Sequence, residues 1–97
     1  MPVYILLSEL TDEGWKTVRE RPERIIEVNK EVEAFGARVI SQYALLGGYD
    51  FATIVEASDN NVIARISVEL GSRGTVKITS MPAVPIDEFI TSMKKRK

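Results

Sequence analysis

The chain has 97 residues, 44% of them hydrophobic and 28% charged, which is typical of one soluble globular domain. Thirteen basic residues against fourteen acidic ones give a net charge of −1, so no overall positive field attracts nucleic acid or an anionic membrane. Cysteine and histidine are both absent, which removes disulfides, thiolate chemistry and the commonest metal ligand. We therefore expect no cofactor and no metal, and the composition favours a binding protein over an enzyme.

The first third of the chain predicts a strand followed by a divided helix. Residues 3–8 form an apolar run that suits a strand buried on both faces, and Thr11 is a good N-cap for a helix. Pro22 should divide that helix, and Gly36 should end its second half. The apolar face of the second half consists of Ile25, Val28, Val32 and Phe35. The run at the N-terminus is too short for a signal peptide or a membrane span, so we expect a cytoplasmic protein.

The middle of the chain predicts a hairpin and a second helix. Residues 37–46 and 50–57 are rich in β-branched and aromatic side chains, and the glycines at 47 and 48 allow a tight antiparallel turn between them. Asp59 is a good N-cap for the helix that follows. The buried face of that helix should consist of Val62, Ile63, Ile66 and Leu70.

The last quarter predicts an edge strand and a short helix. Residues 75–81 alternate apolar and polar side chains, as a half-exposed edge strand does, and Pro82 should break that strand. A final helix should run from Ile86 to about Met93 and end in the basic sequence KKRK. Carboxylates near helix starts, at 12, 13, 87 and 88, are explained by the helix dipole without a metal site.

The element order β-α-β-β-α-β predicts an α+β, ferredoxin-like fold for residues 1–97 as one domain. Two right-handed crossovers place both main helices on one face of a four-stranded antiparallel sheet, with the short C-terminal helix added. The two central strands are apolar on both faces, so the helices leave one apolar face uncovered. We expect a second copy of the chain to cover it, as a homodimer or a higher oligomer. The alternative is that the C-terminal helix folds back over this face.

The segment Gly47-Gly48-Tyr49-Asp50 and the strand after it resemble the signature of the GYD domain family, which belongs to the dimeric α/β-barrel group. Further matches are TDEG at 11–14, PER at 22–24, Gly36, EASD at 56–59, GTVKITSM at 74–81 and DEF at 87–89. The resemblance implies a ferredoxin-like fold with side-to-side or face-to-face assembly, and it implies no established reaction. The hairpin also looks like that of the ligand-binding domain in Lrp/AsnC regulators, which sense amino acids at subunit interfaces.

Two groups of residues are candidates for a ligand site or an interface. In the hairpin, Gly47 and Gly48 suit the turn, Tyr49 packs beside it and Asp50 accepts backbone N–H bonds, although the same loop could contact a ligand. A cleft between the first helix and the sheet could hold a small carboxylate or aromatic ligand. Its candidate lining is Trp15, Tyr4 or Tyr43, with Arg24 at the rim.

These observations favour an oligomeric small-molecule-binding or assembly module of the GYD type. Its partners would be copies of itself and a small ligand, with no nucleic acid and no membrane. Two alternatives stay open. One is a cofactor-independent, monooxygenase-like enzyme of the dimeric α/β-barrel group, and the other is a ligand-sensing regulatory domain.

Overall fold

The structure, a computed structural model, describes residues 1–95; the last two residues of the KKRK sequence lie outside this range. The elements in chain order are β1 (Val3–Leu10), α1 (Asp12–Glu20), α2 (Arg24–Ala34), β2 (Arg38–Ala44), β3 (Phe51–Glu56), α3 (Asn60–Gly71), β4 (Val76–Ala83) and α4 (Ile86–Lys94). This order confirms the predicted sequence of elements, including the division of the first helix at Pro22.

The four strands form one antiparallel sheet in the order β2-β3-β1-β4. The first and third strands are central, as predicted, and β4 lies at an edge. In the register of the sheet, Ile5 of β1 lies between Ile54 of β3 and Met81 of β4. The chain therefore has the ferredoxin-like α+β fold.

The hydrophobic core lies between the sheet and the helices on one of its faces. Tyr4, Leu6 and Val55 of the central strands are buried there against Val32 of α2 and Ile66 of α3. Burial of such side chains is the main favourable contribution to folding, at roughly 25 cal/mol per Å² of apolar surface removed from water. The apolar faces predicted for α2 and α3 both point into this core or its margin.

The N-caps predicted at Thr11 and Asp59 are confirmed. Thr11 Oγ1 accepts a hydrogen bond from Gly14 N at 3.3 Å, and Asp59 Oδ1 accepts one from Val62 N at 3.2 Å. Gly36, with φ of 109°, follows the end of α2. Each capping side chain satisfies a helix N–H that has no partner within the helix.

Two local predictions are wrong. β4 continues through Pro82 to Ala83, because proline is tolerated in an edge strand whose outer side needs no ladder hydrogen bond. The hairpin between β2 and β3 pairs antiparallel as predicted, but its connection is not a tight turn at Gly47 and Gly48. It is a loop over residues 45–50 in which Gly47 has a φ of 118° and Gly48 has no positive φ.

The start of α1 packs unusually close to the start of β4. Thr11 N donates to the carbonyl oxygen of Thr75 at 3.1 Å, and Thr11 Oγ1 donates to that of Gly74 at 2.7 Å. A Cβ atom added to Gly14 would lie 2.1 Å from the Thr75 oxygen, which is backbone and cannot turn away. Gly14 is therefore the residue that lets the two segments meet.

We expect Gly14→Ala to lower the free energy of unfolding by about 2 kcal/mol or more, since relief of the overlap must move backbone. Urea unfolding followed by circular dichroism measures this. The matched control is Gly71→Ala in α3, where an added Cβ meets nothing within 4 Å. Equal losses in the two variants would contradict a special role for Gly14.

Candidate functional site

The sheet face opposite the helices carries an uncovered apolar band, which we call the open face. Residues directly paired across neighbouring strands share a face, and in β1 this face alternates with the buried Tyr4 and Leu6. Its members are Ile5 and Leu7 of β1, Tyr43 of β2, Ala52 and Ile54 of β3, and Met81 of β4. No described element covers these side chains from the other side, and Tyr43 is 60% exposed.

Charged side chains bound the open face at both ends of the strands. At one end Glu9 of β1 is paired in register with Lys77 of β4. At the other end Arg38 Nη2 of β2 lies 3.0 Å from Glu56 Oε1 of β3. An apolar centre with a charged rim is the usual composition of a protein–protein interface.

Helix α4 does not cover the open face. Its apolar residues Ile86, Phe89, Ile90 and Met93 are all at least 45% exposed, so they pack against no core. The described chain is correspondingly long and thin, with principal extents of 55 × 28 × 19 Å. The alternative in which this helix folds back over the sheet is therefore wrong. Within residues 1–95 no helix has the length and apolar character that crossing a membrane requires.

The hairpin signature is tied to the end of β1. Asp50 Oδ2 accepts a hydrogen bond from Leu10 N at 2.8 Å, and Asp50 N donates to the Ser8 oxygen at 2.7 Å. Leu45 N donates to the Asp50 oxygen at 2.7 Å, which closes the loop. Asp50 thus links two segments that are 40 residues apart in sequence. These bonds give Asp50 a structural role; contact of Gly47, Gly48, Tyr49 or Asp50 with a ligand or a partner remains a prediction.

We expect Asp50→Ala to lower the free energy of unfolding by about 1–3 kcal/mol, because the N–H of Leu10 loses its charged acceptor. Asp50→Asn should lose less, since the amide oxygen can still accept. Thermal and urea unfolding of both variants measure the difference. A stability of Asp50→Ala equal to that of the wild type would show that the bond is dispensable.

The remaining predicted site residues do not form one cleft. Tyr4 is buried in the core under α3, where its hydroxyl donates to Asn60 Oδ1 at 2.7 Å. Trp15 is 51% exposed on α1, and Tyr43 lies on the open face. Of the four, Arg24 alone is among the residues that line the cavity between the helices and the sheet.

That cavity has a volume of about 220 Å³ and lies between α1, α2, the end of α3 and the inner face of the sheet. The surface of its lining is mostly apolar, with a polar group formed by Asn29, Gln42 and Thr53. Sequence reasoning missed these three residues. The available signal was that Gln42 and Thr53 are polar at inward positions of strands whose other inward positions are apolar.

An ion-pair cluster lies beside the cavity. Arg24 Nη1 is 3.2 Å from Glu27 and 3.3 Å from Glu31, and Arg73 Nη1 also binds Glu31. Arg21 Nη2 lies 2.6 Å from the other oxygen of Glu27. The hydrogen bond from Arg73, with help from the charge of Arg24, lowers the pKa of Glu31 below its ordinary value of 4.5.

Because the folded state lowers the pKa of Glu31, its contribution to stability is present above pH 4.5 and is lost as the pH falls through the folded pKa. We expect Glu31→Gln to unfold with a weaker pH dependence than the wild type between about pH 5 and pH 3. Urea unfolding at several pH values tests this. Glu20→Gln, which removes an exposed carboxylate with no ion pair within residues 1–95, should keep the wild-type slope.

Three comparisons relate the chain to known proteins. A family model described as the GYD domain matches residues 4–93. A protein of Thermus thermophilus, named glutamine synthetase and cystathionine beta-lyase binding protein, is 50% identical over 95 residues, which cover 97% of this chain and 100% of that protein. A crystal structure of a dimeric ferredoxin-like protein from an uncultured marine organism is 10% identical, covers 89% of this chain and 95% of its own, and has a TM-score of 0.46.

Proposed function

Since this chain belongs to the GYD domain family, we propose that it is a non-catalytic, homodimeric module that binds metabolic enzymes. The observation that carries the proposal is the open face, an apolar surface with a charged rim that no element within residues 1–95 covers. The name of the Thermus thermophilus relative supports the class of partner. Glutamine synthetase and cystathionine beta-lyase are therefore the first candidates, and we propose the cytoplasm as the location.

A second copy of the chain is the occupant that fits the open face. The centre of the face, at Ile5, Ile54 and Met81, is apolar and needs an apolar surface opposite it. Each end of the face carries both charge signs, in Glu9 with Lys77 and in Arg38 with Glu56. Two such faces related by a twofold axis can place opposite charges against each other, so the surface can pair with itself.

Helix α4 is the element we assign to the enzyme partner. It leaves the domain after Pro85, and its apolar face of Ile86, Phe89, Ile90 and Met93 lies outside the sheet. An amphipathic helix with an exposed apolar face fits a hydrophobic groove on another protein. A dimer built on the open face would present two such helices, which suits oligomeric enzymes through the gain from two linked contacts.

The dimer is tested by a variant that places one charged side chain on the open face. We expect wild-type protein to have twice the monomer mass of 10.9 kDa in light scattering at micromolar concentration. Ile54→Lys should give the monomer mass, because a buried and unpaired ammonium opposes association. Val68→Lys is the matched control, since Val68 is exposed on α3, on the other side of the sheet. A wild-type monomer, or a dimeric Ile54→Lys variant, would contradict the dimer.

Enzyme binding is tested on α4 separately. Glutamine synthetase and cystathionine beta-lyase from the same organism are immobilised in turn, and the wild type should bind at least one of them. We expect Phe89→Ala combined with Ile90→Ala to weaken that binding at least tenfold. A few anchor side chains carry most of the binding energy of an interface, and this variant truncates two of them. The control Thr91→Ala, on the same helix, should bind as the wild type does. If the double variant instead becomes monomeric, α4 belongs to the dimer interface and our assignment is wrong.

A cofactor-independent enzyme is the second candidate function, and one observation favours it: Arg24 lines the cavity between the helices and the sheet. Within residues 1–95 no three carboxylates come together in a group that could hold a metal ion. In this candidate function, turnover would depend on the cavity itself and on a reactive substrate.

A further inference from the structure

The cavity between the helices and the sheet has the properties of a ligand site. It lies on the helix-covered side of the sheet, opposite the open face, so it is separate from the surface proposed for the dimer. We propose that it binds a small organic monocarboxylate with a compact apolar body, the carboxylate lying at Arg24 and Arg73 and the body inside.

The volume limits the size of the ligand. An engineered cavity of about 150 Å³ holds benzene, which has six non-hydrogen atoms. At about 220 Å³, this cavity has room for roughly eight to ten such atoms. A single small molecule with one ring or a short branched chain fits inside it.

The lining determines the body of the ligand. Most of the wall consists of apolar side chains, among them Leu6, Val28, Val32, Phe51, Leu70 and Ile78. Water in such a space would find few partners, while an apolar ring or chain would gain contact with the wall. An apolar body is therefore favoured inside the cavity.

One buried hydroxyl in the wall has an unused donor. Asn29 and Gln42 bind each other through both amides, at 2.7 and 3.2 Å, and Gln42 Nε2 also donates to Thr53 Oγ1 at 2.9 Å. Thr53 is only 7% exposed, and within residues 1–95 its hydroxyl makes no hydrogen bond as a donor. A polar acceptor atom on the inner end of the ligand would satisfy this proton.

The arginines supply the charge. Arg24 and Arg73 are the two charged residues of the lining, and their side chains keep 31% and 35% exposure, so they lie at its solvent side. Each uses Nη1 for the glutamates, and within the described residues the Nε and Nη2 groups of both make no hydrogen bond. Those donors can bind a carboxylate in the paired geometry that arginine favours.

The charge balance of the ion-pair cluster favours a ligand with a single negative charge. Arg21, Arg24 and Arg73 face Glu27 and Glu31, so three positive charges meet two negative ones and one positive charge is left over. A monocarboxylate neutralises that excess. A dicarboxylate would place its second charge in the apolar interior at a large desolvation cost.

The test uses 4-hydroxybenzoate as the probe, because it combines one carboxylate, one ring and a phenolic oxygen for Thr53. Titration calorimetry of the full chain should show binding, and the neutral isostere 4-hydroxybenzamide should bind at least tenfold more weakly. Arg73→Gln should reduce the affinity for the acid at least tenfold. Arg65→Gln is the matched control, since Arg65 stacks over Phe35, 5.3 Å from the ring centre, and does not line the cavity.

A cavity-filling variant provides the second arm. Val28→Phe adds a ring within the cavity wall, and it should abolish binding of the acid while leaving the protein folded by circular dichroism. The proposal is overturned if the acid shows no binding at millimolar concentration, if acid and amide bind equally, or if Arg65→Gln loses as much affinity as Arg73→Gln. Because Ile54→Lys tests the other side of the sheet, failure here leaves the dimer result intact.

Discussion

A four-stranded sheet has two faces, and in this protein both are apolar at the central strands while the main helices cover one. Tyr4, Leu6 and Val55 are buried against α2 and α3, but Ile5 and Ile54 point the other way. The hydrophobic effect that holds the helices on one face therefore also favours covering the other. Helix α4 could have covered the open face, but its apolar side chains are exposed and it does not pack there. The apolar side chains of the open face are therefore left without cover within the described chain.

Two residues of the family signature, Asp50 and Gly14, hold distant segments of the domain together. Asp50 reaches back to Leu10 at the end of β1, and Gly14 allows α1 to approach Thr75 at the start of β4. Both contacts join segments far apart in the chain at the same end of the sheet. Asp50, which looks like a local turn residue, and Gly14 of α1 thus fix the positions of strands and helices around the cavity.

The two sides of the sheet support different kinds of recognition. The open face is broad, apolar and rimmed by charge pairs, which suits another protein surface. The cavity on the helix side is small and mostly apolar, with arginines at its solvent side and a buried hydroxyl in its wall. Because the sheet separates them, a ligand in the cavity and a second copy on the open face need not compete.

The sequence by itself determined the elements, their order and the apolar excess of the central strands, since these follow from local periodicity, caps and glycine positions. Only the tertiary structure decided which distant residues meet. It brought Asn29, Gln42 and Thr53 together, separated Trp15 and Tyr43 from Arg24, and let β4 continue through Pro82. Such outcomes depend on strand pairing and helix packing, which the local periodicity of the sequence does not specify. The same holds for the direction of α4: its amphipathic sequence is readable, but its exposure is set by the geometry of the chain after Pro85.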